Sequence, residues 1–452
     1  MSVDSFFRIT ERGSSLGAEV LGGVVTFATM AYILAVNPAV LGGLADSSGL
    51  SLDHGQLVTV TALVSGVMTI AMGLIANVPM ALAAGLGINA FVAFSLVSGK
   101  QLSWSEAMGV VLIEGIALLI LVIIGLREAI MNAIPDGLKR AIAGGIGLFI
   151  ALIGLVNGGI VEHPAGGGTV VAISAHFATW NTLVFVIALV AIAVLMAWRV
   201  PGALLIGIVL ASVVGLVING AVAGTPVAGA QWPGSVVATP DFGLVGNVSF
   251  NVFKVVGFGT ALALIITVLM ANFFDAMGTA LAVGRSAKLI DEQGRLPQMR
   301  QILLVESAGA IAGGAASASS NTIFVESTAG TAQGARTGLA NIVTGVLFLL
   351  AMFFAPLAGM IPSAATGPAL VIVGALMISQ IAQIDWHDMG IAVPAFATVA
   401  LMPFTYSIAN GIGAGMVLYA VIALGRGRWR EIHPLMAVVA AVFVWYFVRG
   451  PI

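Results

Sequence analysis

Cysteine is absent from this 452-residue chain, which excludes disulfides, thiolate chemistry and Cys-ligated metals. Charge is almost as scarce. Asp, Glu, Lys and Arg make up 8% of the residues, against roughly 25% in ordinary soluble domains. With 60% of residues hydrophobic, too few charges remain to cover a soluble surface of this size, so the chain is read as a polytopic membrane protein. The charges nearly cancel, at a net −2, which leaves no basic surplus for a nucleic-acid partner. The start, "MSVDSFFRITERGSSLG", has no apolar run directly behind a basic head. It is read as a cytoplasmic interfacial segment rather than a signal peptide. No soluble domain is inserted anywhere, so one membrane domain is expected.

A spanning helix needs about 20 mostly apolar residues. Such runs lie near 17–36, 57–76, 104–126, 137–156, 180–198, 201–218, 255–284, 337–360 and 366–384. The tail, 388–424 and 434–449, is apolar but broken at Pro394, Pro403 and Gly411. Three pieces look wrong for full spans: 79–98, Gly-rich in its middle; 302–316, made of Gly, Ala and Ser; and 317–335. The expected fold is all-α, with fourteen or so membrane segments. Lys and Arg are missing from the loops at 42–56, 157–179 and 219–251 and gather at 127–140, 285–300 and 425–430. The second set, with the N-terminus, is expected on the cytoplasmic side; Lys100 is the exception. Interrupted segments at matching places in two halves, 79–98 and 317–335, point to an inverted-repeat transporter with a site near the midplane.

Carboxylates inside membrane segments are expensive, roughly 2.5–3.5 kcal/mol at a helix centre. Four stand out: Glu114, Asp275, Glu306 and Glu326. Glu306 is close to a cytoplasmic loop and reads as a solvated end. Glu114 reads either as a hydrogen bond across a helix interface or as functional. Asp275 and Glu326 sit beside unusual backbone. In "AAGLGINAF" Gly85 and Gly87 precede Asn89, a pattern that allows unwound backbone where it lines a cavity. In "SASSNTIFVESTAGTAQGAR" an extended piece precedes a half-helix that starts at or near Glu326, where the helix dipole favours an anion. Asn272, Asp275 and Thr279, at i, i+3 and i+7, share a helix face that would form the third wall. Phe273 and Phe274 lie off that face and read as packing. Such a pocket suits a flat, polar, uncharged molecule.

The motifs "AGLGINAF", "NFFDAMGTALAVG" and "VESTAGTAQGARTGL" resemble those of the AzgA-like purine nucleobase permeases, within the nucleobase/ascorbate transporter (nucleobase:cation symporter-2) family. "TFATMAYILAVNPAVL", "REAIMNAIPDGLKRAIAGGIGLFIALIGLVNGG" (127–159) and "LMPFTYSIANGI" fit the same branch. The resemblance implies seven plus seven inverted segments. It implies a core domain (1–126 and 255–360) rocking against a gate domain (127–220 and 366–449). It also implies a homodimer in the cell membrane that carries adenine, guanine or hypoxanthine inward by symport with a proton or another cation, without a cofactor. By motif, Asn89, Asp275 and Glu326 fall at the polar positions of the third, eighth and tenth segments, with Gly87, Ala90, Asn272, Thr279 and Val325 around them. Glu326 is expected to grip the base and Asp275 to carry or relay the proton, although nothing in the sequence separates those two roles. One departure is Asn272, which stands where the eighth-segment motif has a first Asp.

Three other readings compete. An anion transporter of related fold would put positive charge near the substrate, yet the pocket motifs hold no Lys or Arg before Arg285 and Arg336. A uracil or xanthine permease would share the architecture. A membrane enzyme would need a nucleophile–base pair or metal ligands. His54, His163, His176, His387 and His433 all fall in loops or edges, none spaced with a carboxylate as a metal motif requires.

Overall fold

The computed structural model describes residues 2–125, 133–162, 171–224, 226–292 and 295–449; expectations placed on Arg127 and His163 lie outside them. A first series runs α1 (Leu16–Leu41), α2 (His54–Ile75), β1 (Leu82–Ala84), α3 (Leu86–Ser98), α4 (Trp104–Ile123), α5 (Asp136–Asn157), α6 (Trp180–Ala197) and α7 (Ala203–Ala221). A second repeats that order: α8 (Phe258–Ser286), α9 (Met299–Ala315), β2 (Asn321–Ile323), α10 (Ser327–Ala332), α11 (Gly338–Ala358), α12 (Ser363–Gln383), α13 (Met389–Phe404) and α14 (Ile408–Gly425). Each series has seven segments, and in each the third is a strand followed by a helix. This is the seven-plus-seven inverted repeat.

Helix starts follow the polar residues at loop ends. Ser15, Asp53, Thr179, Thr337 and Ser407 each accept a backbone N–H of the first turn, and Ser103 forms a capping box with Glu106. Inside the membrane the two strands solve a different problem. Non-helical backbone there needs partners within the protein. β1 and β2 supply them to each other, antiparallel, with Leu82 opposite Ile323 and Ala84 opposite Asn321. The ladder continues on both sides through Gly85 N–H to Ser320 O, 2.9 Å, and Phe324 N–H to Ala81 O, 3.0 Å. The two interrupted segments are thereby joined at their extended pieces. Around them α4 packs on α9 and α8, and α11 on α2 and α1; elsewhere α5 packs on α12 and α13, and α13 on α14.

Two of the expected pieces take a definite form. Residues 302–316, expected to be short for a full span, form most of α9, a continuous helix of 17 residues. Its Gly and Ala residues serve close approach instead, with the backbone of Leu112 against Gly314 and that of Ser319 against Gly313. A further long helix, α15 (Pro434–Arg449), follows the second series and runs back along α14. Phe443 covers Gly413, the Trp445 ring lies over Gly259 where no Cβ would fit, and the Tyr446 hydroxyl donates to Asn410 Oδ1 at 3.1 Å. Lys100, the misfit in the charge distribution, sits with its ammonium 5.1 Å from the Tyr446 ring centre.

Candidate functional site

Where the two strand–helix junctions meet α8, they leave a cavity of about 120 Å³. For scale, an engineered protein cavity of about 150 Å³ takes up benzene. The first junction contributes Gly85, Leu86, Gly87 and Ile88. Crowding favours glycine at both positions. A Cβ on Gly85 would sit 2.8 Å from Thr322 Cγ2, and one on Gly87 2.8 Å from Ile146 Cγ2. The second junction contributes Thr322 through Glu326, and α8 contributes Ala271, Phe274, Asp275 and Thr279. The opposite wall is apolar, made of Ile142, Ala143 and Ile146 from α5 and Val373 and Met377 from α12.

Glu326 is the N-cap residue of α10, but its side chain does not cap the helix. Its Oε1 accepts the Tyr32 hydroxyl at 2.8 Å, so the carboxylate is aimed across the cavity rather than down its own helix. Tyr32 is buried, at the break between the two halves of α1, Leu16–Met30 and Ile33–Leu41. Asp275 shares the cavity and forms no ion pair among the described residues. Two carboxylates, one tethered by a tyrosine, can accept N–H donors from the edge of a flat ring. The apolar walls suit the ring's faces.

Of the residues expected in the pocket, Gly87, Asp275, Thr279, Val325 and Glu326 line it. Asn89, Ala90 and Asn272 are not among its lining residues. Asn89 and Ala90 follow directly on the cavity-lining Ile88 but are themselves buried, the Asn89 amide without a hydrogen-bond partner. Asn272 is turned about 60° round α8 from Asp275. Its amide nitrogen donates to Glu114 Oε1 (3.1 Å) and Ser320 Oγ (3.0 Å) instead. For Glu114 the observed role is therefore the hydrogen bond across a helix interface. Glu306 is no solvated end: it is fully buried and accepts the Thr322 hydroxyl at 2.8 Å, because α9 begins two turns before it. Phe273 is packed in the interior as expected, whereas Phe274 faces the cavity. Sequence reasoning missed Tyr32 and the α5–α12 wall. A tyrosine in the apolar run "TMAYILAV", one of only four in the chain, was the available signal.

The model described as Permease family matches residues 17–414. The chain is similar to the guanine/hypoxanthine permease PbuG of Bacillus subtilis, 41% identical, over 98% of this chain and 99% of that one. It is similar also to the adenine permeases AdeQ and AdeP of Escherichia coli, at 36% and 37% identity, each over 98% of this chain and 95% of the relative. Among solved structures, the transmembrane domain of a cyanobacterial bicarbonate transporter, BicA, superposes with a TM-score of 0.60 at 16% identity, covering 88% of this chain and 97% of that one. The murine anion transporter Slc26a9, in its inward-facing state, does so at 0.60 and 11% identity, over 91% and 69%.

Proposed function

This chain belongs to the Permease family, and from that premise we propose that it moves purine nucleobases across the cell membrane by proton-coupled symport. It is a multi-pass transporter rather than an enzyme. One observation carries the site: the Glu326 carboxylate, tethered by Tyr32 at the start of a half-helix, faces Asp275 across a cavity whose remaining walls are largely apolar. In this reading Glu326 accepts N–H groups at the purine edge, Phe274 and the aliphatic side chains cover the ring faces, and Asp275 carries or relays the coupling proton. The groups built on α1–α4 with α8–α11 and on α5–α7 with α12–α14 act as core and gate. The N-terminus lies on the cytoplasmic side with the Lys- and Arg-rich loops, and the working unit is a homodimer, as the sequence resemblance implies.

The structural neighbours named for bicarbonate and anions share the fold, but this cavity favours a different cargo. No Lys or Arg lines it, and two carboxylates do, a poor environment for an anion. The deciding experiment is uptake in cells lacking their own purine permeases. Labelled hypoxanthine is offered with adenine, guanine, xanthine, uracil or sulfate as competitors. Adenine and guanine should compete and sulfate should not. Absence of nucleobase uptake together with sulfate uptake would reverse the reading.

A further inference from the structure

Behind the cavity, against the β1–β2 pair, lies a second set of buried polar groups that the substrate site does not use. Glu306 on α9 has Oε1 bonded to the Thr322 hydroxyl and Oε2 without a hydrogen-bond partner. Glu114 on α4 is equally buried, its Oε1 held by Asn272 and its Oε2 unpartnered. Asn272 Oδ1 and both amide atoms of Asn321 are buried and unpartnered as well. Ser320 and Thr322 are two residues apart on extended chain, so their side chains leave the same face. One meets the Asn272–Glu114 pair and the other meets Glu306. Thr322 also belongs to the cavity lining, so it touches both compartments.

Among the described residues no ion pair includes Glu114 or Glu306, and the ionisable groups close enough to act on Glu306 are Asp275 and Glu114, both acids. An ionised carboxylate with one bare oxygen and no cation costs several kcal/mol in an apolar interior, and a proton removes that charge. We propose that Glu306 is an interior proton-holding site, loaded from the substrate cavity through the Thr322 hydroxyl. In the transfer, Thr322 Oγ takes a proton from a hydronium in the cavity as its own hydroxyl proton passes to Glu306 Oε1. One O–H bond breaks and one forms at each step, a water is left in the cavity, and the threonine ends as it began. Glu326 then stays free for the base.

The proposal rests on the proton-coupled reading above. The experiment reconstitutes the full chain in liposomes loaded with a pH dye and drives it with an inward hypoxanthine gradient. Hypoxanthine affinity of the same preparations is measured by calorimetry. Wild type should acidify the lumen as the base enters. Glu306→Gln should keep its base affinity and lose the acidification. Thr322→Val, which leaves Glu306 in place, should slow proton entry more than base entry. If Glu306→Gln does not fold, Thr322→Val decides alone: normal proton entry overturns the proposal, as does an equal loss of base and proton entry, and loss of proton entry with base entry retained supports it. Base entry without acidification in the wild type would defeat the coupling reading and the proposal with it. Wild-type coupling that persists unchanged in both variants defeats only the proposal.

Discussion

The two interrupted segments share a backbone plan and differ in almost everything placed on it. Each runs as a strand and then a helix, and the strands pair with each other. After β1 the chain continues for 13 residues to Ser98, partly as π-helix from Phe91, and it shows the cavity glycine and aliphatic groups. After β2 the helix lasts six residues and opens on Glu326. Its partner is α1, where Gly22 and Gly330 lie so close that a Cβ on Gly22 would sit 2.8 Å from Gly330 O. The comparison teaches that an approximate repeat can build a site in which one arm supplies shape and the other supplies charge.

The largest effect on that division should come from Glu326→Gln. Losing a charged acceptor costs about 1.5–3 kcal/mol, or roughly 10- to 100-fold in nucleobase affinity by competition binding. Asp275→Asn should retain most of the affinity and lose accumulation driven by an imposed acid-outside gradient. Full accumulation in that variant would move proton handling elsewhere. Substitutions at glycine test the two arms directly. Gly330→Ala puts a methyl against the backbone of Gly22 and the Thr26 hydroxyl, neither able to yield easily, and should displace Glu326. Gly87→Ala meets only side-chain atoms, the Ile146 γ2 methyl at 2.8 Å and the Ile150 δ1 methyl at 4.0 Å. We expect about tenfold weaker binding for the first and a few-fold for the second, since backbone displacement exceeds the cost of one rotamer shift of about 1 kcal/mol. Tyr32→Phe removes one hydrogen bond, about 1 kcal/mol, and should weaken binding about fivefold with folding intact.

The smallest effect concerns the outer end of the first arm. Asp46, in the loop after α1, reaches past α3 to the Trp104 N–H at 3.0 Å and also accepts from Ser48 and Leu50. Partial burial alone would raise its pKa, but these hydrogen bonds outweigh it and hold the carboxyl below its ordinary value. A depressed folded value means the stabilisation is complete above the unfolded value of about 3.9 and fades as pH falls through the folded one. Thermal unfolding in detergent should therefore show Asp46→Asn less stable than wild type near neutrality, the gap closing below about pH 4.

Much of this was legible. The Gly85/Gly87 spacing and the run from Asn321 to Gly330 marked the broken segments, because only buried or cavity-lining backbone tolerates such residues in a membrane. Asp275 and Glu326 were visible as unaffordable charges. What escaped was rotation and depth. Asn272 and Asp275 differ by a modest turn of one helix, yet one faces Glu114 and the other the cavity. Glu306 was misjudged by its distance along the chain from Arg300, since chain distance does not reveal which face β2 covers. The glycines of α9 resembled those of α3 in composition, but they permit packing rather than unwinding. Tyr32 was hidden because its partner lies 294 residues away.

The wall formed by Ile142, Ile146, Val373 and Met377 has a consequence for speed. Aliphatic groups have no hydrogen bond to offer a ring edge, so a base resting against them is held by area alone. Parting from such a surface would break no directional bond, and in the proposed reading the selectivity stays with the acidic arm. The molecule can thus be choosy about its cargo on one side and indifferent on the other, the combination a carrier needs if recognition is not to slow release.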